Sequence, residues 1–281
     1  MKIAITGSTG QLGTSINSHL SNHEIVNINE NFYDKKQLEE KIINTNYDVL
    51  INCVAFHDLY KSENEKKKAF EINTNCVALL SKLSGLKKSH FIHFSSDYVF
   101  DGENNKPYIE ESETNPINYY GVTKLKGEEA AIENNENTTV FRVASLFGIR
   151  RNNSSLNFVE KIINSSRENK IMKIVDDQIM SPTSTENIGK LIEKIIYDLK
   201  NFKGIYHLTN DGQASWYEFT KRIFKTLKLE NEIIPIKYNE LKTDIKRPLF
   251  SVLNNSKIKN NTNYVINNWE EDLEEYLLNY K

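Results

Sequence analysis

Gly7-Ser8-Thr9-Gly10-Gln11-Leu12-Gly13 follows directly on the apolar run Ile3-Ala4-Ile5. The order predicts a strand, a turn with little side chain, and the start of a helix. A helix N-terminus carries unpaired N–H groups and about half a positive charge. A glycine-rich turn lets a pyrophosphate approach those groups. The spacing is GxxGxxG rather than GxGxxG, and taken alone it also suits an ordinary tight turn. Its place after an N-terminal strand favours the dinucleotide reading, with Gly7, Gly10, Gln11, Leu12 and Gly13 as the cofactor loop.

Outward from this loop, short apolar runs alternate with longer amphipathic stretches. Glu24–Ile28, Asp48–Val54, His90–Ser95 and Thr139–Val143 read as the next four strands. Between them, Lys67 to Leu83 predicts one helix, with Phe70, Thr74, Val77 and Leu80 at helical spacing. Gly204–Leu208 returns to a strand pattern, and Ser215 with Glu218 forms a capping-box signature before Trp216. Strand–helix alternation means right-handed crossovers and a doubly wound parallel sheet, Rossmann-like and covered on both faces. The polar stretch Asn152–Ser155 suggests a boundary. Residues 1–152 and 183–209 are expected to form the dinucleotide-binding domain. Residues 153–182 and 210–281 are expected to form a smaller C-terminal α/β lobe that binds substrate.

The bulk numbers narrow the function. The chain has 281 residues, 36 basic and 38 acidic, for a net charge of −2. That balance gives no electrostatic reason for nucleic acid or an anionic membrane as partner. Two cysteines, Cys53 and Cys76, are too few for a disulfide framework and suit a reducing compartment. The first residues lack the pattern of a signal peptide, and no stretch approaches the about 18 apolar residues of a membrane helix. A cytoplasmic location is the expectation. His, Asp and Glu fall in no common metal-ligand spacing, so no metal is assigned. His57, Asp58 and His93 read as loop or structural residues, and Trp216 and Trp269 as packing.

In an open parallel sheet, ligands lie beyond the C-terminal strand ends. Strand four ends there in Ser95-Ser96, and Tyr120-Gly121-Val122-Thr123-Lys124 follows. Tyr and Lys four apart share a helix face. A free tyrosine has a pKa of about 10, and a neighbouring cation is expected to lower it. YxxxK alone is common. A glycine-rich loop, a post-strand serine and a Tyr/Lys pair in that order are a much rarer combination.

Two longer blocks are more specific: Ser95-Ser96-Asp97-Tyr98-Val99-Phe100-Asp101-Gly102, and Lys246-Arg247-Pro248-Leu249-Phe250-Ser251. With Pro107–Glu110, Val175–Gln178, Ser181-Pro182-Thr183 and Ser215–Phe219, they make the chain resemble the extended short-chain dehydrogenases/reductases. Within that group it is similar to the dTDP-4-dehydrorhamnose reductase family over nearly its full length.

The resemblance implies reduction of the C4 keto group of a nucleotide-linked 4-keto-6-deoxyhexose, dTDP-4-dehydro-L-rhamnose first, for cell-surface polysaccharide. It implies Tyr120 as general acid, Lys124 on the cofactor ribose, and Ser96 on the carbonyl. Cys53, Val54, Ala55 and Asn73 match positions that line the cofactor, and Asp97, Tyr98, Ser145 and Arg247 are assigned to the substrate. Arg247 has the planar fork that suits a phosphate. Glu30, at the end of strand two, suits a free ribose hydroxyl and tilts the choice between NADH and NADPH towards NADH. The resemblance also admits a homodimer.

Two positions depart from the family pattern: Ser145 stands where a Trp is usual, and Tyr60 where an Asp is usual. Both bear on which sugar fits. The rival readings are an epimerase or another reductase of a different nucleotide sugar, a dehydratase, and a non-catalytic cofactor-binding regulatory subunit.

Overall fold

Ile3, Ala4 and Ile5 have no exposed surface, because the strand they form is covered on both faces. The computed structural model describes residues 1–149 and 156–280, so the boundary read at Asn152–Ser155 lies outside the described residues. The first half runs β1 (Lys2–Thr6), α1 (Gln11–His19), β2 (Glu24–Ile28), α2 (Lys35–Asn44), β3 (Val49–Asn52), α3 (Leu59–Asn64), α4 (Lys66–Phe70), α5 (Cys76–Leu86), β4 (His90–Ser96), α6 (Tyr119–Asn134) and β5 (Thr138–Val143). The second half runs β6 (Leu146–Phe147), α7 (Phe158–Glu168), β7 (Ile171–Val175), β8 (Ile179–Met180), β9 (Thr183–Ser184), α8 (Thr185–Ile195), β10 (Gly204–His207), β11 (Ala214–Ser215), α9 (Trp216–Leu227), β12 (Glu232–Ile236), α10 (Ser256–Thr262) and α11 (Trp269–Leu278).

The central sheet has the order β2-β1-β3-β4-β5-β10, and every pair in it is parallel. It is the doubly wound, Rossmann-like sheet expected. From β1 the chain winds outward to β2 and then returns to the other side as β3. The crevice between the ends of β1 and β3 is therefore the topological switch point, where such sheets bind ligands. One face packs under α1 and α8 through Leu12, Ile16, Ile188 and Leu191. The other packs under α2, α5 and α6 through Leu38, Ile42, Val77, Leu80 and Ala131.

A second core lies beyond the sheet, around Phe147, Ile162, Met172, Phe219, Trp269 and Leu273. The small pairs β7–β12, β8–β11 and β6–β9 belong to this region. Ser215 and Glu218 exchange both capping-box bonds at the start of α9, at 3.0 and 2.8 Å.

Two expectations need correction. Lys67–Leu83 is not one regular helix: α4 and α5 are joined by a wider π turn over Glu71–Asn75. The hydrophobic spacing cannot register one extra residue per turn, and this turn holds the buried Asn73. Nor is 210–281 wholly a second lobe. Ile258 and Ile266 pack in the core beneath the main sheet with Leu208 and Tyr206.

Candidate active site

The loop after β1 is built by backbone geometry. Gly7 has φ +67°, a left-handed conformation that costs a side-chain-bearing residue energy. Gly13 lies so close to it that a methyl there would stand 2.2 Å from the Gly7 carbonyl oxygen. Gly10 is the N-cap of α1 and offers no side-chain acceptor, so the first helical amides face the crevice. The Gln11 side-chain nitrogen is buried there without a partner. Gly7 also abuts Cys53 and Val54 at the exit of β3, which closes the switch-point crevice. Ser8 reaches Asn29 at the end of β2. The next residue, Glu30, lies 3.6 Å from the Lys41 ammonium.

The segment after β3 is held from below. Asn73 accepts from the Phe56 amide at 2.8 Å, and donates to the Phe56 carbonyl and to Thr123 on α6. It is fully buried and ties this loop to the Tyr120 helix. Ala55, between these anchors, remains half-buried. Asp58 caps α3 through the Lys61 amide. Tyr60 points outward, 68 % exposed.

A buried polar row crosses the sheet beneath the site. Thr6 donates to Asn52, Asn52 lies 3.1 Å from His93, and His93 lies 3.5 Å from the Lys124 ammonium. These residues sit at paired positions of β1, β3 and β4. Lys124 is 1 % exposed and donates to the Phe94 carbonyl at 2.6 Å. Burial pulls its pKa down to about 8, and Glu128, one turn along α6, acts against that fall. His93 is pushed well below its ordinary range by burial and by Lys124, so it is neutral. Glu128 itself makes a buried pair with Arg142, at 2.7 Å. Sequence reading missed this row, because its members are far apart in the chain.

Tyr120 opens α6 and stands edge-on to Tyr98, 5.9 Å between ring centres. Its pKa is pushed up to about 12, chiefly by burial, with the Ser96 hydrogen bond opposing and the Asp97 charge adding. This corrects the expectation that Lys124 lowers it. The Lys124 ammonium is turned to the Phe94 carbonyl, and burial sets the direction of the shift at this phenol.

Ser96 ends β4, accepts from the Tyr98 amide at 3.2 Å and donates to Asp97 at 2.9 Å. The other Asp97 oxygen accepts from Ser251 at 2.6 Å. Asp97 is 3 % exposed. Burial lifts its pKa to about 6 against the pull of these bonds. Arg247, on the same segment as Ser251, has a buried, unpartnered Nε, and its charge acts on Tyr98 and Tyr238.

The two specific sequence blocks therefore meet in space. Besides the Ser251–Asp97 bond, the Phe250 amide donates to Gly102, and Tyr108 and Val252–Asn254 exchange two backbone bonds. Between the blocks is a cavity of about 10 Å³, room for one water, lined by Asp97, Tyr98, Ser145, Gln178, Met180 and Trp216, among others. Ser145 has φ +43°. Trp216 comes from the start of α9 and packs against Phe158, 4.3 Å between ring centres and tilted by 41°. The sequence reading gave Trp216 to packing alone. Its place on the same cavity as Ser145 had no local signal.

The family model described as RmlD substrate binding domain matches residues 1–281. The chain belongs to that family. It is 30% identical to the spore coat polysaccharide biosynthesis protein SpsK of Bacillus subtilis, over 98% of this chain and 96% of that one. The crystal structure of a dTDP-4-dehydrorhamnose reductase from Clostridium acetobutylicum superposes with a TM-score of 0.91 at 33% identity, covering 100% of both chains. The dTDP-4-dehydrorhamnose reductase of Bacillus anthracis, solved in complex with NADP, superposes at 0.93 with 27% identity over 99% of each chain. Family membership makes sense of the contact between the two specific blocks, which a bare dinucleotide-binding sheet does not need. Among the described residues, no helix is long and apolar enough to cross a membrane.

Proposed function

We propose that this chain is an NAD(P)H-dependent reductase of the C4 keto group of a nucleotide-linked 4-keto-6-deoxyhexose, with dTDP-4-dehydro-L-rhamnose the first candidate substrate. The observation that carries the reading is the joint placement of Ser96, Tyr98 and Tyr120 at the C-terminal end of the sheet, beside a crevice walled by glycines. The crevice fits a dinucleotide. Gly7 and Gly13 leave room for a pyrophosphate, the α1 amides suit its charge, and the Gln11 nitrogen lacks a partner. Cys53, Val54 and Ala55 would line its other wall. When bound, the reduced nicotinamide supplies the hydride.

The chain's own residues handle the proton and the orientation. Tyr120 keeps its proton up to about pH 12, which makes it a donor at neutral pH. It would protonate the substrate oxygen as negative charge grows there. Ser96 would share that oxygen, in a bond that strengthens with the charge. Lys124 would offer its remaining donors to the ribose. Arg247 would meet a phosphate of the nucleotide sugar, and its unpartnered Nε supports this role. Tyr98, Ser145 and Trp216 would wall the sugar. Asn73 would line the cofactor pocket from behind the Phe56 loop, which it holds through two backbone bonds.

The modest tilt to NADH rests on Glu30, and Lys41 beside it offsets part of the repulsion towards a 2′-phosphate. A cytoplasmic homodimer is compatible with this reading. The test is incubation with each reduced cofactor and freshly generated dTDP-4-keto-6-deoxy sugar. Cofactor oxidation, matched by a sugar-nucleotide mass gain of two hydrogens, is expected. Oxidation without that gain, or none with either cofactor, would refute it.

A further inference from the structure

Ser96 has one hydrogen to give. Here the Asp97 carboxylate, at 2.9 Å, and the Tyr120 hydroxyl compete for it, while the Ser96 oxygen accepts from the Tyr98 amide. An ionised carboxylate only accepts and is the stronger acceptor, so it draws the Ser96 hydrogen away from Tyr120 and the cleft. In that state Ser96 cannot donate to a substrate oxygen. Ser251 occupies the second carboxylate oxygen as donor, at 2.6 Å from 154 residues away. The one carboxyl hydrogen of the acid form therefore belongs on the oxygen that faces Ser96. There the bond reverses: Asp97 donates, Ser96 accepts, and the Ser96 hydrogen is released towards the cleft.

From this geometry we infer that Asp97 and Ser251 form a positioning couple that sets whether Ser96 donates into the active site. The inference rests on the reductase reading for the role of Ser96, but not for the hydrogen-bond couple itself. Asp97 carries the burial needed for the switch. Its pKa, raised to about 6, brings the acid form within reach of working conditions. Its titratable surroundings are few. Its own turn brings Tyr98 and α6 brings Tyr120, both kept protonated by burial. The segment of Ser251 brings Arg247, whose charge acts on Tyr98. The cavity side, with Gln178, Met180 and Trp216, brings none.

The sign follows. The donating form of Ser96 is present below the Asp97 pKa and is lost as pH rises through it, by up to tenfold in kcat per pH unit. Ser251 lowers that pKa by bonding the carboxylate. Ser251→Ala should therefore move the falling limb of kcat to higher pH, by about 0.5 unit or more. Asp97→Asn has no proton to lose and should lack the limb.

Both variants should be compared with the full-length wild type. kcat is measured against pH, and the Asp97 carboxyl is titrated directly by 13C NMR in the cofactor-free protein. The expected result is an upward shift of both midpoints in Ser251→Ala. An unchanged carboxyl midpoint in Ser251→Ala, or a wild-type limb retained by Asp97→Asn, overturns the inference. If Asp97→Asn fails to fold, Ser251→Ala decides alone. If no 4-keto sugar is turned over by any form, the reductase reading fails, and the carboxyl titration still judges the couple.

Discussion

The two halves of the cleft are made in different ways. The half beneath the glycine loop is built from backbone: a left-handed Gly7, a close pass at Gly13 and the open amides of α1, all within seven residues. The half around Ser96 is built from side chains brought together across the chain, with Asp97 bonded to Ser251 and with Ser145 and Trp216 lining one cavity. The first can be changed only by altering backbone space. The second can be retuned one side chain at a time. On the proposed reading, substrate choice belongs to the second half and the cofactor fold is left alone.

That separation can be attacked at its joint and on each side. Tyr120 stands at the joint. Tyr120→Phe removes the acid and should lower kcat by about 10³-fold, with cofactor and nucleotide-sugar affinities near wild type by titration. A loss of binding instead of turnover would break the division of labour. On the cofactor side, Gly13→Val forces a side chain against the Gly7 carbonyl. It should weaken dinucleotide binding by about 100-fold, from an overpacking cost of about 3 kcal/mol. Calorimetry with the nucleotide sugar should change little. On the sugar side, Trp216→Ala should raise the KM for the sugar by about tenfold and leave the cofactor dissociation constant unchanged. An equal loss of both affinities would mean that α9 supports the whole cleft.

The same contrast explains what could be read from the sequence. The strands, the loop and the Tyr120/Lys124 helix were legible because each rests on local periodicity or turn chemistry. The Ser96–Gly102 and Arg247–Ser251 blocks were visible as motifs, but not their contact. A side-chain bond spanning 154 residues leaves no local trace. The row from Thr6 to Lys124 was hidden for the same reason, and the π turn at Asn73 because hydrophobic spacing does not register one extra residue. Lys124 shows the limit of spacing arguments. It shares a helix face with Tyr120, as expected, yet its ammonium is bonded to the Phe94 carbonyl. The pKa of Tyr120 is set by burial instead.

The central claim is hydride delivery to the sugar carbonyl on this scaffold. The most direct test supplies a reduced nicotinamide deuterated at its transferable position, with the 4-keto nucleotide sugar, and examines the product by mass spectrometry and proton NMR. The account predicts one deuterium in the sugar, with the proton signal of C4 lost and Tyr120→Phe largely inert. A product with no deuterium at C4, or with deuterium at another carbon, would contradict it.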